Sequence, residues 1–208
     1  KFIATDVSDT KRKMVDMAST QLGKPGFAID PYFYRSHVTY QAELENIIFK
    51  SWLYAGHISQ IAKKGDFFLF DIGEDSIIIC RDNKDQVRAM HNICRHRGAR
   101  VCEEASGNRR SFVCPYHGWG YGNDGTLKAA RDMHDVEGFN VDDYSLKPVR
   151  LVVFQGMIYI NCDPDAADFA KPLSNITAQL GAYDLENAKV AEAKTYRINA
   201  NWKLCLEN

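Results

Sequence analysis

A mainly β chain with helices at both ends is what the sequence predicts, and three observations carry that expectation. Short β-rich runs separated by turn residues fill the middle, helical stripes lie before and after them, and glycines punctuate the joints. At 208 residues the chain is long enough to bury a real core without disulfides.

Residues 9–22 space Met14, Ala18 and Leu22 four apart behind Asp9 or Thr10 as a cap, which predicts an amphipathic helix. Gly23, Pro25 and Gly26 end it. Over residues 39–54, Leu44, Ile47, Ile48 and Trp52 form one stripe opposite Glu43, Glu45 and Lys50, predicting a second helix. The period then changes. Residues 66–72, 76–81 and 86–92 read as antiparallel strands joined by turns at 73–75 and 82–85. Further strands are expected at 112–114 and 126–128, across Asn123-Asp124-Gly125, and at 151–154 and 157–161 around Gly156. Past Asp163-Pro164-Asp165 the texture is helical again, with Leu173, Ile176 and Leu180 on one face, and residues 200–208 close the chain as a last helix. This gives a helical lead-in at 1–54, a β domain at 55–165 and the start of another domain at 166–208. The chain opens on Lys1 and stops inside a helical pattern, so a piece of a longer protein is expected.

Composition excludes several classes. A hydrophobic fraction of 45% with 25% charged residues argues against disorder. A net charge of -1 gives no global field for nucleic acid or an anionic membrane. The apolar runs are too short to span a bilayer and no signal segment opens the chain, so a cytoplasmic protein is expected. In a reducing cytosol its six cysteines are ligands or buried fillers rather than disulfides. No phosphate-cradling glycine loop and no Gly-x-Ser-x-Gly elbow appears, so any electrons must come from another protein.

Chemistry concentrates in two segments, Cys94-Arg95-His96-Arg97-Gly98 and Cys114-Pro115-Tyr116-His117-Gly118-Trp119. Each pairs one thiolate donor with one imidazole donor, a set that suits iron–sulfur clusters and zinc alike. Zinc sites more often open on two closely spaced cysteines, whereas here Cys and His alternate in two loops that would clasp a two-iron cluster from opposite sides. With both cysteines on one iron and both histidines on the other, the cluster carries less negative charge and is more easily reduced. Zinc remains the rival. Gly98, Gly118 and Gly120 fit close backbone approach to the cluster, as they fit turns.

Cys-x-His-Arg-Gly followed by Cys-Pro-Tyr-His-Gly-Trp is similar to the α-subunit signature of the Rieske non-haem iron oxygenases, the aromatic-ring-hydroxylating dioxygenase superfamily. The resemblance extends over residues 30–208 through Ile48-Phe49-Lys50-Ser51-Trp52 with Gly56-His57, and through Asn201-Trp202-Lys203 with Glu207-Asn208. These outer stretches look most like the quaternary-ammonium branch, which oxidises choline, carnitine or glycine betaine. Aromatic-ring dioxygenation is the alternative.

The resemblance implies a Rieske antiparallel β-sandwich with N-terminal helices, followed by the beginning of an α+β helix-grip catalytic domain. It implies a [2Fe-2S] cluster on Cys94, His96, Cys114 and His117, with Trp119 packing over it. Asn208 matches an asparagine close to a mononuclear Fe(II) whose two-histidine, one-carboxylate ligands would follow it, though it also suits a helix C-cap. The implied activity is that of a mono- or dioxygenase component fed by a reductase or ferredoxin. It would use O2 on a small molecule within a homotrimer, with no nucleic acid or membrane partner. A Rieske ferredoxin and a structural zinc module remain as readings from other classes. Arg95, Arg97, Arg100, Arg109 and Arg110 form a basic cluster that would screen charge or dock an acidic donor. Cys80, Cys102, Cys162 and Cys205 fall outside the paired spacing and read as buried thiols, and His91 and His134 as ordinary histidines.

Overall fold

A computed structural model describes residues 7–169, 173, 176–177 and 179–207. The chain divides into two compact units, Ser51–Glu192, and Lys1–Lys50 together with Ala193–Asn208.

Among the described residues, the larger unit is built from ten antiparallel strands in three sheets. One sheet pairs β1 (Leu53–His57), β10 (Met157–Asn161) and β9 (Arg150–Phe154) in that order. A second runs β4 (Val87–His91), β3 (Asp75–Arg81), β2 (Asp66–Ile72) and β5 (Ser106–Asn108). The third runs β6 (Ser111–Val113), β7 (Gly120–Gly122) and β8 (Leu127–Ala129). The mainly β expectation therefore holds, and turn chemistry explains the register. At the β9–β10 hairpin, Gln155 and Gly156 both take positive φ, 47° and 78°, the conformation that a two-residue hairpin with native twist requires. Between β3 and β4 the Asp82 carboxylate accepts from the N–H groups of Lys84 and Gln86, each at 2.8 Å, and so folds the turn upon itself.

The second and third sheets face each other across one core. Phe67, Ile78, Cys80 and Met90 from one side meet Phe112, Tyr121 and Leu127 from the other, and Cys94, Cys114 and Trp119 belong to the same cluster. Phe67 and Phe112 meet edge to face across it, with centroids 5.3 Å apart. The two cysteines of the paired motif are thus anchored in the close-packed core of the unit.

The smaller unit contains α1 (Lys11–Leu22), α2 (Tyr32–Arg35), α3 (His37–Glu43) and a C-terminal α4 (Trp202–Leu206). Thr10, one of the two expected caps, accepts from the Lys13 N–H. Asp9 instead accepts from the hydroxyls of Tyr32 and Ser36 and from the Val38 N–H. Glu43 accepts from Trp202 Nε1 at 2.9 Å and Lys203 Nζ at 2.5 Å, pinning α4 to α3.

One expectation needs correction. The helix read over residues 39–54 stops early: α3 ends at Glu43, Leu44–Ile48 makes a single π-helical turn, and Leu53–His57 is a strand. Trp52 continues the apolar spacing of Leu44 and Ile48, but the backbone of Leu53 and Tyr54 pairs with Ile160 and Tyr159, about a hundred residues away, and that long-range pairing overrides the local period. Part of the stretch expected to be helical beyond residue 170 lies outside the described residues; 173, 176, 177, 179 and 180 are helical.

Candidate metal centre

Two loops carry the paired motif, and they share one hydrogen-bonded frame. In the first, after β4, the Cys94 N–H donates to the Ala99 carbonyl at 2.8 Å and the Gly98 N–H donates to the Cys94 carbonyl at 2.9 Å. In the second, between β6 and β7, Cys114 donates to Trp119 at 2.8 Å and Gly118 to Cys114 at 3.0 Å. Gly98 and Gly118 have φ of 76° and 72°, and a Cβ on either would meet nothing within 4 Å. Conformation, not crowding by neighbouring protein atoms, demands glycine there. Gly120 belongs to β7, where a Cβ would lie 3.6 Å from that of Ala129.

This frame brings the predicted donors together as two pairs. The Cys94 and Cys114 side chains lie in one buried cluster, near enough for Cys94 to help push the Cys114 thiol up, and the His96 and His117 rings meet edge to face with centroids 4.6 Å apart. Among the described residues no three His, Cys, Asp or Glu side chains are grouped to hold a single metal ion. The donors stand in two like pairs, sulfur with sulfur and nitrogen with nitrogen, which suits two metal atoms side by side better than one tetrahedral zinc.

Electrostatics agree with that fit. His96 Nδ1 is buried without a hydrogen-bond partner, a costly condition for an imidazole nitrogen unless something binds it. Burial, with His117 and Arg97 nearby, pushes the His96 pKa down and favours the neutral ring that ligates metals. Burial pushes the Cys114 thiol up, against the N–H groups of Tyr116 and His117 that point at its sulfur, so ionising it calls for a nearby cation.

Trp119 is 1% exposed and lies flat on the His96 ring, 4.9 Å between centroids at 12°. Phe139 and Tyr144 turn their edges to its other surroundings, at 5.9 and 5.7 Å. Tyr116 lies 3.8 Å from the His117 ring and is 61% exposed. Of the basic cluster, Arg109 pairs with Glu104 at 2.5 Å and Arg100 with Asp71 at 3.7 Å, while Arg97 and Arg110 are exposed. Cys80 and Cys102 are buried free thiols as expected, but Cys162 is half-buried and Cys205, on the short helix α4, is exposed; His134 is a surface histidine beside Asp135. Asn208 lies outside the described residues.

Sequence reading missed Tyr121. Its hydroxyl sits 3.3 Å from Cys94 Sγ and accepts from the Arg95 N–H at 3.0 Å, so it touches the first loop from a strand of the second. The available signal was its position two residues after Trp119, hence on the same side of a chain that is extended there.

Residues 51–140 match the family described as the Rieske [2Fe-2S] domain. This stretch is a Rieske domain. The likeness reaches beyond it: the chain is 36% identical over 182 residues to the glycine betaine monooxygenase oxygenase subunit of Pseudomonas aeruginosa, covering 88% of this chain and 42% of that protein. It is 33% identical over 184 residues to the biphenyl 2,3-dioxygenase subunit alpha of Rhodococcus jostii, covering 86% and 40%. A solved quaternary ammonium Rieske monooxygenase in complex with L-carnitine superposes with a TM-score of 0.77 at 30% identity, covering 85% of this chain and 51% of that one. The chain spans about half or less of these relatives' lengths.

Proposed function

We propose that this chain is the electron-entry part of the oxygenase component of a Rieske non-haem iron oxygenase, with Cys94 and Cys114 holding one iron and His96 and His117 the other. The edge-to-face pair of His96 and His117, beside Cys94 and Cys114 buried in one cluster, carries the reading. When bound, the cluster takes up and gives on single electrons. Around it, Trp119 holds the His96 ring flat, Tyr121 donates toward the Cys94 sulfur, and exposed Arg97 and Arg110 offer positive charge to an acidic reductase or ferredoxin.

The whole protein would use those electrons and O2 to hydroxylate or demethylate a small molecule, at a mononuclear Fe(II) held beyond Asn208. A quaternary ammonium compound is the favoured substrate, because relatives named for glycine betaine and carnitine match over most of the chain. Aromatic-ring dioxygenation is the second reading, favoured by the 33% identity to a biphenyl dioxygenase subunit. A homotrimer and residence in the cytoplasm complete the proposal; none of the six cysteines is paired, as thiol ligands require. So do the boundaries at 1–54, 55–165 and 166–208. No helix among the described residues is long and apolar enough to cross a membrane.

The test is the purified whole protein with a reductase. The reading expects a Rieske electron paramagnetic resonance signal and O2-dependent consumption of glycine betaine or carnitine. Consumption of an arene alone selects the second reading, electron transfer without O2-dependent turnover makes the protein a carrier, and a colourless zinc protein overturns all three.

A further inference from the structure

The two loops share an internal frame but are closed in different ways. The second is the tip of a hairpin: Val113 and Gly120, which flank it, are ladder partners, followed by Phe112 with Tyr121 and Ser111 with Gly122. Backbone pairing therefore fixes both ends. The first has no such ladder. β4 ends at His91, and the chain leaving the loop reaches its next strand only at Ser106.

Asn92 occupies the place of the missing ladder. It is fully buried, and its Oδ1 accepts from the N–H groups of Val101 at 3.0 Å and Cys102 at 2.9 Å. Its Nδ2 donates to the Cys102 carbonyl at 2.7 Å and to Ser76 Oγ at 3.3 Å, while its backbone N–H donates to the Ser76 carbonyl at 2.9 Å. A carboxamide carries the same donor and acceptor as a peptide group, and here it gives Cys102 both bonds that a hydrogen-bonded antiparallel neighbour would give.

We infer that Asn92 is a positioning residue for the cluster: its side-chain amide stands in for a strand, closes the loop between Asn92 and Cys102, and so sets where Cys94 and His96 sit. Both predicted donors of the first loop lie inside the segment it closes. Without the amide, the Val101 N–H and both peptide groups of Cys102 lose their partners inside the core, where Val101 and Cys102 are each 2% exposed. Buried backbone groups do not stay unpaired, so the loop must move to find others. That motion would carry His96 across the face of Trp119, a residue of the other loop.

The inference rests on the cluster and not on which substrate the whole protein oxidises. Its test compares Asn92→Ala and Asn92→Asp with the unsubstituted whole protein, loaded with its cluster. Asn92→Asp keeps the acceptor for Val101 and Cys102 and loses the donor to the Cys102 carbonyl, so it remains informative where the alanine variant fails to fold. Cys102→Ala, which trims the same place and leaves every backbone bond intact, is the control. The readouts are iron loss to a chelator, the midpoint potential, the g-values of the reduced cluster and the melting temperature. Asn92→Ala is expected to lose iron roughly 10–100-fold faster, the usual effect of removing a group that orients a metal ligand. Asn92→Asp should fall between it and the parent, with shifted g-values and potential in both, and Cys102→Ala should lower only the melting temperature. Asn92 variants that melt earlier while keeping the parent's g-values, potential and iron-loss rate overturn the inference, as does Cys102→Ala matching them in every readout. Absence of the Rieske signal from the unsubstituted protein removes the cluster itself, and the inference with it.

Discussion

The loops Cys94–Ala99 and Cys114–Trp119 place the same donors with the same turn, yet they differ in what supports them. Both close a Cys carbonyl onto a glycine N–H four residues on, and both return the Cys N–H to the carbonyl five residues on. The histidine stands two residues after the cysteine in the first loop and three after it in the second. Beyond the frame, the second loop is held by its hairpin, whereas the first borrows side chains: Asn92 from just past β4, Trp119 from the other loop and Tyr121 from β7. The lesson is that backbone frames fix turn geometry locally, while the relative position of two such turns depends on a few buried side chains between them.

Removing a donor treats the loops alike and has the largest expected effect. His96→Ala and His117→Ala should each abolish the visible absorption and electron paramagnetic resonance signal of the purified protein and leave little iron on it. Retention of the signal by either variant would remove that residue from the donor set and break the symmetry between the loops.

The aromatic supports separate the loops by energy. His96 leans on Trp119, which is 1% exposed, and His117 on Tyr116, which is 61% exposed. Trp119→Ala opens a cavity in the core and should cost about 3–5 kcal/mol in denaturant unfolding, whereas Tyr116→Ala should cost about 0.5 kcal/mol or less. Equal losses would mean that Tyr116 is covered in solution.

The third comparison concerns potential. The Tyr121 hydroxyl lies 3.3 Å from the Cys94 sulfur; toward a cluster-bound thiolate it could only donate, and would favour the more negative, reduced state. Tyr121→Phe should lower the midpoint potential by on the order of 50 mV, which is about 1 kcal/mol of differential bonding converted at 59 mV per tenfold change. An unchanged potential in redox titration would show that this hydroxyl only accepts from the Arg95 N–H and gives no bond to the sulfur.

What was legible in the sequence divides along the same line. Cys94, His96, Cys114 and His117 were readable because a metal-binding turn packs its donors within two or three residues of each other. The strands 66–72 and 76–81 were readable because a tight turn joins them. Asn92 and Tyr121 gave no such sign: the partners of Tyr121 lie 26 and 27 residues away and those of Asn92 9 to 16 away, so only folding makes them neighbours. The same distance in sequence hid β1, whose partner β10 begins at Met157.

A remote turn supplies the smallest effect and the sharpest control. Asp82, at the β3–β4 turn, has a 1% exposed side chain and an ion pair to Arg88 Nε at 2.8 Å. Burial raises its pKa, but the bonds from Arg88, Gln86 and Lys84 outweigh burial and hold it below the ordinary 3.8. A carboxyl depressed in the folded state stabilises the fold fully above its unfolded pKa, and that contribution disappears as pH falls through the folded one. Between neutral pH and about 5, Asp82→Asn should therefore cost a constant amount, about 1 kcal/mol given the half-exposed Arg88. The difference from the parent should shrink only below about pH 4, as the parent's own carboxylate protonates. The midpoint potential should not move at any pH. A shifted potential in Asp82→Asn would mean that global loosening alone perturbs the cluster, and the distinction drawn between framed and borrowed support would no longer account for the behaviour of Asn92 and Tyr121.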